Sequence, residues 1–187
     1  MTQETRQIEE DLSYVRGAVE RMEGGSDQGI PIFVLWAMII SIGCTINDFR
    51  PQFGMYYWPI ATVVGYIASL LIGRRLDREA GEVNTAETRT HAIHWGTIFL
   101  LVIGALIIGG NHGLDDKAFG QMFTLVAGGG CFLGGLHLDR TFLLPGLAMM
   151  IGAPAIDYIG PYPWTIVGLT TGIALVAGAL KMRSQNG

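Results

Sequence analysis

The stretch Thr97–Gly110, TIFLLVIGALIIGG, decides how this chain folds. A helix at a protein–water boundary changes character every three to four residues, but this one is apolar on all sides, as is Phe123–Leu136, FTLVAGGGCFLGGL. Such helices require an apolar solvent. Crossing about 30 Å of hydrocarbon at about 1.5 Å per residue takes about 20 residues. Outward from Thr97, six stretches of roughly that length alternate with short hydrophilic breaks: Ile30–Asn47, Met55–Gly73, His91–Gly110, Ala118–Leu136, Thr141–Ile159 and Trp164–Leu180. The expected fold class is all-α, a polytopic membrane protein with six transmembrane helices as three hairpins, preceded by one amphipathic cytoplasmic helix. Residues 1–29 then form the cytoplasmic helix and linker, 30–181 the transmembrane bundle and 182–187 a cytoplasmic tail.

Charge orients the bundle. Of 12 Lys and Arg, ten fall on one side: Arg6, Arg16, Arg21, Arg74, Arg75, Arg78, Arg89, Arg140, Lys181 and Arg183. Only Arg50 and Lys117 fall on the other, so the positive-inside bias places both termini in the cytoplasm, and an odd number of spans would destroy the partition. The outer side collects Asp48, Asp115, Asp116 and Asp157 near Phe53, Tyr56, Tyr57, Trp58, Tyr158, Tyr162 and Trp164, as in an anchoring belt. The segment 1–28 is acidic and helical in pattern rather than basic and then apolar, so the first span itself is expected to direct insertion. Cys44 and Cys131 differ in expected depth by roughly 15 Å, too far for a disulfide, and read as small packing residues.

Ahead of the bundle, Ile8, Leu12, Val15, Val19 and Met22 form an apolar stripe on a helix that ends at Gly24 and Gly25. Its polar face is acidic (Glu4, Glu9, Glu10, Asp11, Glu20, Glu23), which suits anionic lipid poorly, so the stripe calls for protein. Its own cytoplasmic loops around Arg74–Arg78, a second copy of the chain, or a cytoplasmic partner would each cover it. Within this helix Asp11–Arg16, DLSYVR, resembles the opening of a group of small six-helix bacterial inner-membrane proteins that begin with a D-L-x-Y-[IV]-R cytoplasmic helix; Asp11, Leu12, Tyr14, Val15 and Arg16 match it. The resemblance implies a bacterial inner-membrane location and carries no activity. The three-hairpin layout is also similar to that of the HdeD-like stress proteins.

Gly73–Arg78 (GRRLDR) and Gly135–Arg140 (GLHLDR) share a tripeptide at an offset of 62 residues, and Trp36 and Trp95 are offset by 59. These offsets suggest a direct repeat of hairpins around a pseudo-threefold axis. Small residues recur four apart: Gly65, Ser69 and Gly73; Gly130 and Gly134; Ala148 and Gly152; Gly168 and Gly172; Ala174 and Gly178. In lipid there is little hydrophobic drive between helices, so close backbone approach over small faces is the expected adhesive. Pro145 and Pro154 each remove a helical hydrogen bond, and a kink is expected in the fifth span.

No Asp, Glu, Lys or Arg falls near the middle of a span, whereas ion-coupled transporters and pumps keep an ionisable group at depth. His91 and His94 share one face at the start of the third span, and His137 ends the fourth at similar depth, so the three could converge on a metal or haem iron. The outer loop Asn111–Lys117, NHGLDDK, reads as an exposed acidic turn with some capacity for a cation. Nothing resembles a nucleophile elbow, a phosphate-cradling loop or a zinc-protease helix. The chain is expected not to be an enzyme, to carry no cofactor and to bind no nucleic acid. The leading expectation is a scaffold, sensor or regulatory membrane protein whose N-terminal helix is the interaction element, with homo-oligomers forming through that helix or the small-residue faces. A small-solute channel lined by Thr62, Ser69, Thr97, Thr124, Thr170 and Thr171 is the alternative, and a haem or metal protein the next.

Overall fold

A computed structural model describes residues 29–80 and 85–185. The Ile8–Met22 stripe and the DLSYVR segment lie outside the described residues. The rest is helical, with no strand among the described residues: α1 (Ile30–Phe49), α2 (Pro51–Ala80), α3 (Thr85–Asn111), α4 (Asp116–His137), a 3-10 turn (Arg140–Phe142), α5 (Leu143–Ala155) and α6 (Pro163–Gln185). Five of the six are long and apolar enough to cross a membrane, which makes this an all-α membrane protein.

The exception is α5. The apolar run Thr141–Ile159 was expected as one span, but its helix has only 13 residues, about 20 Å at about 1.5 Å per residue. Its prolines bound the helix instead of kinking its centre. Pro145 is the third helical residue, where an N–H has no intrahelical partner to lose, and Pro154 is the last but one. Upstream, Asp139 accepts a hydrogen bond from Thr141 N at 2.8 Å and starts the 3-10 turn. Thus LDR at 138–140 is a break, whereas LDR at 76–78 continues α2, and the shared tripeptide does not mark equivalent structure.

The α1–α2 connection is shorter than the loop of about seven residues that hydropathy suggests. Arg50 alone separates the helices, because Pro51 begins α2 at a position that suits its fixed φ and missing N–H.

Helices pack in the order α3, α4, α5, α6, α1, α2. A ring of three hairpins would also close α2 on α3, but among the described residues those two do not pack on each other. The row curls instead through aromatic contacts. Trp58 of α2 lies 6.0 Å from Phe123 of α4, and Phe142 lies between Phe33 of α1 (4.9 Å) and Trp95 of α3 (5.2 Å).

The tight seams are made of glycine. A Cβ on Gly146 of α5 would lie 2.7 Å from Phe132 Cα and 2.9 Å from Gly128 O of α4, so backbone meets backbone there. On the α1–α6 seam, Gly168 faces Cys44 and Gly172 faces Ser41. Gly152 faces Val167, Gly130 faces Ile98, and Gly65 faces Ile39 and Trp36, while Ala148 is half-buried. Gly73 differs, with nothing among the described residues within 4 Å, and stands one turn beyond the Trp36–Ser69 hydrogen bond between α1 and α2. Cys44 and Cys131 are free thiols. Part of the aromatic belt also turns inward: Trp164 is buried in the core and Tyr57 Oη donates to Ile39 O at 2.8 Å, whereas Phe53, Tyr56, Tyr158 and Tyr162 are exposed.

Candidate functional site

The two ends of the bundle use their polar residues differently. At the end formed by the C-terminus of α1 and the N-terminus of α6, they close helix ends. Pro163 brings no N–H to the first turn of α6; Trp164 N and Thr165 N donate to the Asp48 carboxylate at 3.3 and 2.7 Å, and Ile166 N donates to Tyr162 O. Tyr162 takes a left-handed backbone (φ 68°) and stacks on Phe49 at 4.8 Å. Asp115 caps α4 by accepting from Ala118 N at 2.7 Å, so this acid of the NHGLDDK loop is engaged as a helix cap. Asp157 is paired with Lys117 at 2.6 Å and accepts from Gln121 at 2.9 Å, and Gln121 also donates to Ala153 O at 3.1 Å. The Lys117 and Gln121 hydrogen bonds hold the exposed Asp157 carboxyl below its ordinary range.

At the opposite end, the antiparallel packing of α3 on α4 brings His94 to His137. His94 Nε2 lies 3.0 Å from Gly130 O, and a carbonyl can only accept, so this nitrogen carries the proton and donates. In the neutral ring Nδ1 is then an acceptor, and it takes a hydrogen bond from His137 Nε2 at 3.2 Å. The rings meet nearly edge to face, with centroids 4.8 Å apart. Glycine makes this possible, because a Cβ on Gly134 would sit 3.0 Å from His94 Nε2.

The convergence of three histidines expected from their depth is therefore a pair. His91 stands three residues earlier on α3, and among the described residues no group of three His, Cys, Asp or Glu side chains is placed to hold a metal ion. With both His94 nitrogens engaged, that ring could bind a metal or haem iron only by giving up one of these hydrogen bonds. At the same end Arg74, Arg75 and Arg78 of α2 are exposed on one face with Leu71.

Depth in the sequence was the signal for the His94–His137 pair. Neither the Gly130 carbonyl as third partner nor Asp48 as cap of α6 carries a local sequence signal, since their partners are 36 and 117 residues away. The chain matches no family model, no curated protein and no solved structure. The DLSYVR resemblance and the hairpin layout accordingly bring no site residue to it.

Proposed function

We propose that the chain crosses a bacterial inner membrane six times with both termini in the cytoplasm, and that it is a non-enzymatic scaffold of sensor or regulatory type. The stripe Ile8, Leu12, Val15, Val19 and Met22 is its interaction element, docking a cytoplasmic protein or a second copy. In this reading α5, with its 3-10 turn, is the remaining crossing. Irregular backbone at membrane depth is tolerated where protein encloses it, and α5 is walled by α4 and α6 with Pro145, Gly146, Met149, Gly152 and Ala153 buried.

The asymmetry of the ends carries the proposal. At one end Asp48, Asp157, Lys117 and Gln121 are engaged in holding elements together, and Asp115 caps α4. The end from which the N-terminal segment enters α1 presents the His94–His137 pair and the Arg74, Arg75 and Arg78 face on the two peripheral helices, α3 and α2. The sequence joins the interaction stripe to this end, with seven residues between Met22 and Ile30.

Cysteine reporters test the topology: one at Gln185 is expected to label only from the cytoplasm, and those at Gln52 and Asp116 only from outside. For the interaction element, Leu12→Asp and Val15→Asp should lower cross-linking to self or partner, whereas Glu10→Gln, off the stripe, should not. Solute flux through proteoliposomes above that of protein-free vesicles would replace the scaffold with a channel.

A further inference from the structure

We propose that the His-pair end of α2 holds an anionic phospholipid, with its phosphate on Arg74 and Arg78. This inference rests on the membrane placement alone, so failure of the regulatory reading would leave it standing. Ile60, Val64, Ile67, Leu71, Arg74 and Arg78 recur at spacings of four, three, four, three and four, which aligns them in one stripe along the helix. All six are exposed, because the other face of α2 packs on α1. From Ile60 to Leu71 the stripe is apolar and about 16 Å long at about 1.5 Å per residue, the depth of one leaflet of a hydrocarbon core about 30 Å thick.

Where the apolar part ends, Leu71 and the three arginines line an open concavity of about 440 Å³. Arg74 and Arg78 are four apart, a spacing at which like charges repel. An anion between them turns that repulsion into attraction. Planar guanidinium groups suit phosphate oxygens, which accept two parallel N–H bonds from each fork. A phospholipid satisfies both halves of the stripe, the phosphate on the arginines and an acyl chain along Ile60 to Leu71. Free phosphate would satisfy only the first.

The test is native mass spectrometry of the full-length protein in detergent, titrated with phosphatidylglycerol or with phosphatidylcholine of the same chains. The expected result is preferential retention of phosphatidylglycerol, weakened about tenfold or more by Arg74→Gln/Arg78→Gln, since each basic residue contributes about fivefold near an anionic surface. Arg89→Gln/Lys181→Gln removes two charges at the same end off the stripe and should leave retention within about twofold of the parent. Equal retention of the two lipids, or equal loss in the two double variants, would overturn the proposal. Displacement of the lipid by millimolar inorganic phosphate would assign the arginines to a free anion. Efficient cross-linking of Gly73→Cys to Ser13→Cys in lipid would assign the face to the chain's own acidic N-terminal segment, and cross-linking between two Gly73→Cys copies would assign it to a dimer; each outcome overturns the lipid site.

Discussion

Asp48, in the last turn of α1, caps the first turn of α6 through Thr165, whose backbone N–H donates to its carboxylate at 2.7 Å across 117 residues of chain. The first N–H groups of a helix have no internal partner, and a carboxylate there also meets the positive end of the helix dipole. Asp48→Ala leaves Trp164 N and Thr165 N without acceptors and should cost about 1–3 kcal/mol. Asp48→Asn keeps one acceptor oxygen and should cost less. Asp116→Ala, on the exposed first turn of α4, serves as the control in thermal unfolding; a loss equal to that of Asp48→Ala would mean the cap contributes nothing.

Thr165 itself carries a second expectation of opposite sign. Its Oγ1 is buried with no hydrogen-bond partner among the described residues. Thr165→Val removes that unsatisfied hydroxyl while keeping the shape, and should leave stability unchanged or raise it by up to about 1 kcal/mol, because the backbone N–H that meets Asp48 is untouched. A marked loss of stability would show that the hydroxyl has a partner in the membrane.

The α4–α5 seam should tolerate no added methyl. Gly146→Ala drives a Cβ against Phe132 and Gly128 backbone, which cannot rotate away, and should cost about 1–3 kcal/mol or more. Gly104→Ala is the counterpart on α3, where nothing lies within 4 Å, and the better helix propensity of alanine should stabilise by up to about 1 kcal/mol. Comparable unfolding temperatures for the two variants would contradict this packing.

Acid should loosen the other end of that seam. A carboxyl whose folded value is depressed contributes stability above its unfolded value, and this is lost as pH falls through the folded value. The Lys117 and Gln121 hydrogen bonds depress Asp157, so the stabilisation should be intact at neutral pH and decline below about pH 4. Asp157→Asn should flatten the acid limb of the unfolding-temperature profile, with only a small effect at neutral pH because the Lys117 pair is exposed. An unchanged acid limb would assign it to other carboxyls.

The helical class and five spanning helices were legible because uniform hydrophobicity over about 20 residues is a local property. The α5 boundaries were not, since hydropathy cannot tell Leu143–Ala155 as helix from its flanking turns when all are apolar. Repeat offsets misled about the α2–α3 seam: a shared LDR reports composition, while closure of the ring depends on side chains that α2 and α3 do not bring together among the described residues. The small-residue pattern pointed to Gly130 and Gly134 but not to what lies on them, because a glycine face is permissive and its occupant, here Ile98 and His94, is set by the register of the other helix.

That register produces the two His94 hydrogen bonds between α3 and α4, and their proton positions can be checked. If Gly130 O accepts from His94 Nε2–H, the neutral His94 ring is the Nε2–H tautomer, with Nδ1 bare except for the His137 donor. Nitrogen-15 solid-state NMR of the ring-labelled protein in bilayers at pH 8 should show a protonated Nε2 and an unprotonated, hydrogen-bonded Nδ1 for His94. In His137→Ala the Nδ1 shift should move toward that of a free acceptor while Nε2 stays put, because the Gly130 bond is independent of His137. His94→Ala removes both hydrogen bonds and should cost about 1–2 kcal/mol, more than His137→Ala, which removes only the exposed one. His112→Ala, in the exposed α3–α4 loop, should alter neither spectrum nor stability. A protonated Nδ1 on His94 would reverse the chain of donors and put the pair's acceptor nitrogen against a carbonyl, an arrangement this geometry could not hold.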